Sequence, residues 1–365
     1  MRIEELEIHQ FRNIETAKLE SDSQFVVLQG INGAGKTSIL EAVNVLSTLR
    51  SFRENSPDNL IRWDHPSSRI TASMRTYLGK QRLVWGIHRG QRGRLLQLDG
   101  KNINRLGTWF GRIRSILFCP EHIHIVRGSA EIRRQFLDRA RFTAYPEYLK
   151  LVQQYQRILK QKRELLKQDT VQAEELRPWN EQLIDAGTTI TIQRQLILEE
   201  LAEPFQLMHQ YLSGKERVEL KLKGIGGTDR ENIRARLEEL VFRAWESELK
   251  RKQVLVGPHL DDLVILMDGR PARKFASQGQ TRSIVIALKM AELEAARNRG
   301  DRPIFLLDDL SSELDQPRTQ RLVQMLSERD SQVWISATSS NQLGRLPENR
   351  VSKYEVDSGM LRKLH

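Results

Sequence analysis

The sequence predicts an α/β chain whose parallel-strand core is interrupted by a helical insertion, and three observations predict it. Two short runs without a polar residue, Phe25–Leu28 and Ile304–Leu307, have the form of strands buried on both faces. Helical spacing of apolar residues follows such runs at both ends of the chain, the alternation of a sheet covered by helices. Between about Glu131 and Lys250 glycine becomes scarce and the pattern turns helical.

Taken in order, Ile3, Leu6, Ile8 and Phe11 read as a first strand and Phe25–Leu28 as a second. Ser38–Leu49 reads as a helix, with Ile39, Leu40, Val43, Leu46 and Leu49 on one face. Segments 70–78, 83–88 and 95–98, broken by glycine and basic residues, read as a small antiparallel sheet, and Ile113–Phe118 as a strand stopped by Pro120. In the insertion, Tyr148, Val152, Tyr155 and Leu159 recur at helical spacing, and Pro178 and Pro204 punctuate the helices. Arg230–Lys250 turns Ile233, Leu237, Leu240, Val241 and Ala244 inward. Helices so interrupted are too short for a long coiled-coil arm. Val254–Val256 then reads as a strand, and Leu263–Met267 with Ala272–Phe275 as a hairpin around Asp268-Gly269. A helix through Ile284, Ala287, Leu288 and Ala291 leads to strands at Ile304–Leu307 and Val333–Ile335.

Lysine and arginine number 58 against 47 acids, a formal charge of +11, and an excess of this sign attracts phosphate backbones. From Arg127 to Lys167 there are eleven Lys/Arg and four acids, Glu131, Asp138, Glu147 and Glu164. Within that stretch Arg127, Arg133, Arg134, Arg139 and Arg141 are the candidate DNA contacts. Tyr145, Tyr148 and Tyr155 could stack on bases, but their helical spacing favours core packing. The single cysteine, Cys119, excludes a disulfide within the chain. The start lacks a signal-type apolar region and no apolar run is long enough to span a bilayer, so a soluble cytoplasmic protein without a membrane partner is expected.

Gly30–Thr37, GINGAGKT, has the spacing G-x-x-x-x-G-K-T between a predicted strand and a predicted helix. Gly30, Ile31, Asn32, Gly33, Ala34 and Gly35 bring backbone amides to phosphate oxygens, Lys36 reaches the β- and γ-phosphates, and the Thr37 hydroxyl ligates Mg²⁺. ATP and Mg²⁺ are therefore the expected ligands. Ile304–Leu307 delivers Asp308 to the Mg²⁺ shell and Asp309 to the attacking water, making Lys36 and Asp309 the expected catalytic pair. Ser277-Gln278-Gly279-Gln280 opens a helix upstream of those acids. It fits a helix cap at Ser277, or the grip of a second copy on the γ-phosphate. Ser312–Asp315 fits a subunit-contact loop.

These motifs, with Phe11-Arg12-Asn13, Ser51-Phe52-Arg53, Phe118-Cys119-Pro120-Glu121, Arg133–Asp138, Gly257-Pro258-His259 and Asp261-Asp262, resemble the RecF family of ABC-type ATPases along essentially the whole chain. The resemblance implies an ABC-ATPase-type, SMC-like P-loop head with an antiparallel β-subdomain and an inserted α-helical lobe. Residues 1–125 would form the first part of the head, 126–250 the lobe for DNA and dimer contacts, and 251–365 the rest of the head with signature and Walker B. It further implies a slow, DNA-stimulated ATPase that dimerises with ATP on gapped single-strand/double-strand DNA and assists recombinase loading with RecO- and RecR-type mediators. Two positions depart from the pattern. Leu260 stands where the family has arginine after Gly-Pro-His, and Ser336-Ala337-Thr338 where many ABC ATPases have a histidine. An ATPase coupled to a membrane permease or a nuclease is the alternative, and the basic insertion argues against the permease.

Overall fold

The computed structural model describes all residues except Asn55, Tyr77, Leu78, Arg92, Asp169, Lys215 and His365. The backbone separates into two compact units. The first comprises Met1–His122, Tyr211–Gly214 and Ile286–His365, and the second Ile123–Gln210 and Lys215–Val285. The expected third segment is thus divided: residues 251–285 pack with the lobe, because their strand pairs with a strand of the insertion.

In the first unit, β1 (Arg2–Phe11), β2 (Ile14–Glu20), β4 (Ser67–Thr76), β5 (Gly79–His88), β6 (Leu95–Leu98) and β7 (Lys101–Asn102) form an antiparallel sheet in the order β2-β1-β4-β5-β6-β7. Ile3 and Leu6 break strict alternation yet are both buried, because a bulge between Ile3 and Glu5 resets the phase. Leu78, expected at a strand end, lies outside the described residues.

A second sheet joins β3 (Phe25–Gln29), β8 (Ser115–Phe118), β12 (Ile304–Leu307), β13 (Val333–Ala337), β14 (Val351–Asp357) and β15 (Met360–Leu364) in the order β15-β14-β3-β13-β12-β8. The four strands from β3 to β8 are parallel neighbours, which is why they read as unbroken apolar runs. Helix α1 (Lys36–Thr48) follows β3, and a short turn, α2 (Leu106–Trp109), precedes β8. Buried residues from both sheets and α1, among them Phe11, Leu28, Ile39, Trp85 and Leu306, form one core. Because β13 lies between β3 and β12, Ser336 stands beside Leu28 of β3, between the loops that leave β3 and β12.

The second unit opens with α3 (His124–Arg127), α4 (Ala130–Ala144) and α5 (Tyr148–Leu166), and α7 (Arg230–Arg251) packs with α5 around Tyr155, Leu159, Leu237 and Val241. Helix α6 (Ala173–Ser213) corrects the expectation of short, interrupted helices, since its 41 residues run through both Pro178 and Pro204. Pro178 falls near the start, where few backbone bonds are lost. Around Pro204, buried Leu201, Phe205 and Leu212 hold the helix against the roughly 3 kcal/mol that an interior proline costs.

Strand β9 (Val218–Lys223) is not among the expected strands, although Val218, Leu220 and Leu222 alternate with charged residues as a half-buried strand requires, and it pairs with β10 (Asp262–Met267). The expected hairpin turn at Asp268-Gly269 forms with both residues at positive φ, but its return strand β11 is only Arg270–Pro271. Ala272–Phe275 is a helical turn, α8, and not a strand. Val254–Val256 is irregular chain, held by burial of Val254 and Val256 in the lobe core. Helix α9 (Gln278–Asn298) follows α8. The chain then passes through β12, the turn α10 (Leu310–Glu313) and α11 (Gln316–Ser327). No helix among the described residues is long and apolar enough to cross a membrane.

Candidate functional site

The loop from β3 into α1 bends where only glycine is comfortable. Gly30 has φ +156°, and a Cβ there would lie 2.2 Å from the Val356 carbonyl oxygen; Gly35 enters α1 at φ 116°. Asn13 braces the loop from below, donating to the Gly33 carbonyl at 3.2 Å and accepting from Ser38 Oγ at 2.9 Å. Its neighbour Arg12 grips Glu41 through two bonds of 2.9 and 2.8 Å, and Glu41 is fully buried. Phe11-Arg12-Asn13 is therefore a scaffold for the loop, a role that spacing alone does not reveal.

Lys36 is 7% exposed, and its Nζ donates to the Gly30 and Ile31 carbonyls at 2.6 and 2.8 Å. Burial holds its pKa below the usual lysine value, while Asp309 and Asp308 pull the other way. Thr37 Oγ1 donates to Asp308 Oδ1 at 2.9 Å. Ser336 Oγ donates to the same oxygen at 2.7 Å and accepts from the Asp309 amide at 2.8 Å. Burial raises the Asp308 pKa, opposed by the bonds from Ser336 and Thr37. Ser336 is thus the latch between the two acids, where the sequence by itself shows only the absence of a histidine.

Asp309 sits in the left-handed region at φ 50°, ψ 44°, and its carboxylate accepts from Ser312 Oγ at 2.9 Å. A non-glycine residue held there stores strain of the kind found at functional sites. Asp315 caps α11 by accepting from the Arg318 amide. Ser312 and Asp315 thereby gain local duties beside the expected contact role.

Lys36, Thr37, Asp308, Asp309 and Ser336 line one cavity of about 830 Å³, together with Glu121, Arg53 and Trp63. Trp63 is 83% exposed, on a turn closed by the His65 amide to the Arg62 carbonyl at 3.2 Å and pinned by Arg89 to the His65 and Arg62 carbonyls. It offers an uncovered aromatic face at the rim. The Thr37 hydroxyl and Asp308 carboxylate are hard oxygens 2.9 Å apart in the same cavity. That donor pair fits Mg²⁺, which typically takes one or two protein oxygens and fills its octahedron with phosphate and water.

In the second unit, Ser277 and Gln280 cap α9 reciprocally. The Ser277 amide donates to Gln280 Oε1 at 2.8 Å and the Gln280 amide to Ser277 Oγ at 3.2 Å. Gln280 Nε2 also donates to Glu216 at 2.8 Å. Ser277 and Gln278 are exposed, and Gly279 is half-buried.

Most of the arginines expected on DNA also hold partners inside the unit. Arg127 donates to the Ala276 carbonyl and to Thr281 Oγ1, bracing the signature loop. Arg133 is buried and forks onto Asp262 at 2.6 and 2.9 Å, and Arg134 donates to the Asp261 carbonyl at 2.7 Å. Arg141 is buried against Gln193 and Glu200 and lies over the Tyr145 ring. Arg127 and Arg139 are the exposed members of the five, and only the Arg139 side chain has neither a hydrogen bond nor an ion pair among the described residues.

The Gly-Pro-His segment explains these clamps. Arg194 forks onto Asp138 at 2.9 Å twice, and also donates to the Pro258 carbonyl and to Asp261. His259 Nε2 faces the Val254 carbonyl at 3.2 Å, so it carries the proton. Nδ1 then accepts from Tyr155 at 2.8 Å. Burial lowers the His259 pKa to about 4. His259 is therefore a neutral structural residue, while Leu260 is 55% exposed.

A P-loop after β3, paired acids after β12, and a lobe delivering a capped signature helix define an ABC-type ATPase head of the SMC kind. A family model described as RecF/RecN/SMC N terminal domain matches residues 2–361. The DNA replication and repair proteins RecF of Geobacter metallireducens and Oenococcus oeni are 37% and 31% identical, covering 94% and 99% of both chains. The chain belongs to the RecF family. Two structures of a recombination mediator protein RecF in the RecFOR pathway, as RecF-ATPrS and RecF-ATP, superpose with TM-scores of 0.89 and 0.87 at 27% identity. They cover all of this chain and 98% and 97% of theirs. An Smc head bound to the C-winged helix domain of ScpA, at TM-score 0.59 and 14% identity, shares the fold.

Proposed function

We propose that the chain is an ATP-switched DNA-binding protein of recombinational repair. ATP binds at Lys36 and Thr37, and Ser277–Gln280 of a second copy cover its γ-phosphate. The dimer so closed holds gapped DNA, and slow hydrolysis releases it. When bound, Mg²⁺ held by Thr37 and Asp308 would neutralise phosphate charge. Asp309 orients the attacking water; it is one methylene shorter than glutamate and tied to Ser312, which suits slow turnover. Ser277 can serve both roles, because its oxygen accepts from the Gln280 amide within the helix cap while its hydroxyl proton and the Gln278 and Gly279 amides remain to meet an anion.

The observation that carries this reading is the bonded chain Thr37–Asp308–Ser336–Asp309 beside the P-loop. The RecF relatives support the repair setting, and the RecF of the RecFOR pathway supports ATP as ligand and RecO- and RecR-type proteins as partners. The test is retention on a fluorescent gapped duplex, read by anisotropy. Retention with ATP that decays as ADP forms is the expected result. Equal retention with ATP, with ADP and without nucleotide would remove the switch.

A further inference from the structure

The basic stretch noted in the sequence runs through α4 and α5, and apart from exposed Arg139 the structure treats their charges oppositely. On α4 the arginines at 133, 134 and 141 are consumed by internal partners. On α5 the buried face is Tyr148, Tyr155, Ile158, Leu159, Lys162 and Leu166, with Lys162 paired to buried Glu248 at 2.7 Å. Opposite it, at helical spacing, lie Lys150, Arg157 and Lys160 among Gln153, Gln154 and Gln161, all exposed. None of the three cations makes an ion pair among the described residues. The helix has one acid, Glu164, and Lys167 already holds it at 2.9 Å.

The geometry points to the exposed face of α5 as the surface that meets the phosphate backbone of duplex DNA, a proposal that rests on the DNA-binding reading above. From Lys150 to Lys160 the helix rises about 15 Å, at 1.5 Å per residue. Phosphates follow one another every ~3.4 Å along the axis of each strand, so this rise spans about four phosphate steps and its three cations can each reach a different phosphate. The glutamines between them are long neutral donors of the kind that bond phosphate and sugar without reading sequence. The face is aimed at duplex because it lacks the stacking platform that single strands use. Tyr148 and Tyr155, the two tyrosines of α5, are buried on its other side.

The test compares wild type with Lys150→Gln/Arg157→Gln/Lys160→Gln. A control, Lys353→Gln/Arg362→Gln/Lys363→Gln, removes equal charge from exposed positions on β14 and β15. Anisotropy of a fluorescent 30-base-pair duplex is followed against NaCl concentration with ATP present. The α5 variant is expected to bind at least tenfold more weakly at 0.1 M salt. Its log–log salt slope should be shallower by about 2 to 3, at ~0.9 for each phosphate no longer neutralised. Its melting temperature and ATP affinity should be unchanged, and the control should keep the wild-type slope. Wild-type binding by the α5 variant, or an equal weakening in the control, overturns the assignment of this face. Absence of duplex binding by wild type would instead bring down the DNA reading itself.

Discussion

In the first unit Lys36, Thr37, Asp308 and Ser336 are buried or half-buried and already bonded to one another and to the P-loop. In the second, Ser277 and Gln278 stand exposed at the mouth of a helix that caps itself. The side chains of the first half-site are bonded to one another and to the loop, so ordering costs little there and nucleotide affinity should reside in it. The second is bonded only locally, through the Ser277–Gln280 cap and the Gln280 contact with Glu216. In the proposed function this difference separates binding from switching, the first half determining whether ATP is held and the second whether holding ATP changes the protein.

The largest expected effect breaks the finished half. Lys36→Met removes the only cation that the P-loop brings to the phosphates, and ATP affinity should fall at least 100-fold by calorimetry, with the dimer lost in consequence. Ser277→Arg attacks the other half and should leave ATP affinity within about twofold while abolishing dimerisation. Loss of ATP affinity in that variant would mean the two halves are not separable.

A smaller effect lies in the lobe that supplies the signature helix. Burial keeps the His259 pKa at about 4, below the ~6.5 of an unfolded histidine, so the unfolded state takes up the proton first. Stability from neutral His259 is therefore complete above pH 6.5 and is lost as the pH falls toward 4. It amounts to at most about 3 kcal/mol at 1.36 kcal/mol per pH unit. Asp261, pushed up to about 6 by burial, acts in the opposite sense over pH 4–6, so the histidine is best isolated by difference. The gap in denaturation free energy between wild type and His259→Asn should be constant above pH 6.5 and narrow on acidification; a pH-independent gap contradicts the buried neutral imidazole.

The sequence made the first half-site legible because P-loop chemistry fixes residue types at fixed spacing between a strand and a helix. Gly30–Thr37 and Asp308-Asp309 converge on one cavity as the spacing suggested. Ser336 was not legible, since its role depends on β13 lying between β3 and β12, a fact of strand order and not of local sequence. The proposed DNA face was legible in principle. Arg133 and Arg141 fall on the helical face of Phe136, Leu137, Ala140 and Ala144, whereas Lys150, Arg157 and Lys160 fall opposite Tyr155, Ile158 and Leu159. A count of arginines ignores that phase. Pro178 and Pro204 misled for a related reason: propensity is local, and the packing that carries α6 through them is not.

The claim that the two half-sites meet across two copies of the chain is tested most directly by mass in solution. Light scattering should give 42.4 kDa for wild type without nucleotide. With ATP and Mg²⁺ wild type should reach twice that mass, and Ser277→Arg should stay at the monomer value while still binding ATP. A wild type that remains monomeric with ATP, or a Ser277→Arg variant that doubles as wild type does, would contradict the composite site.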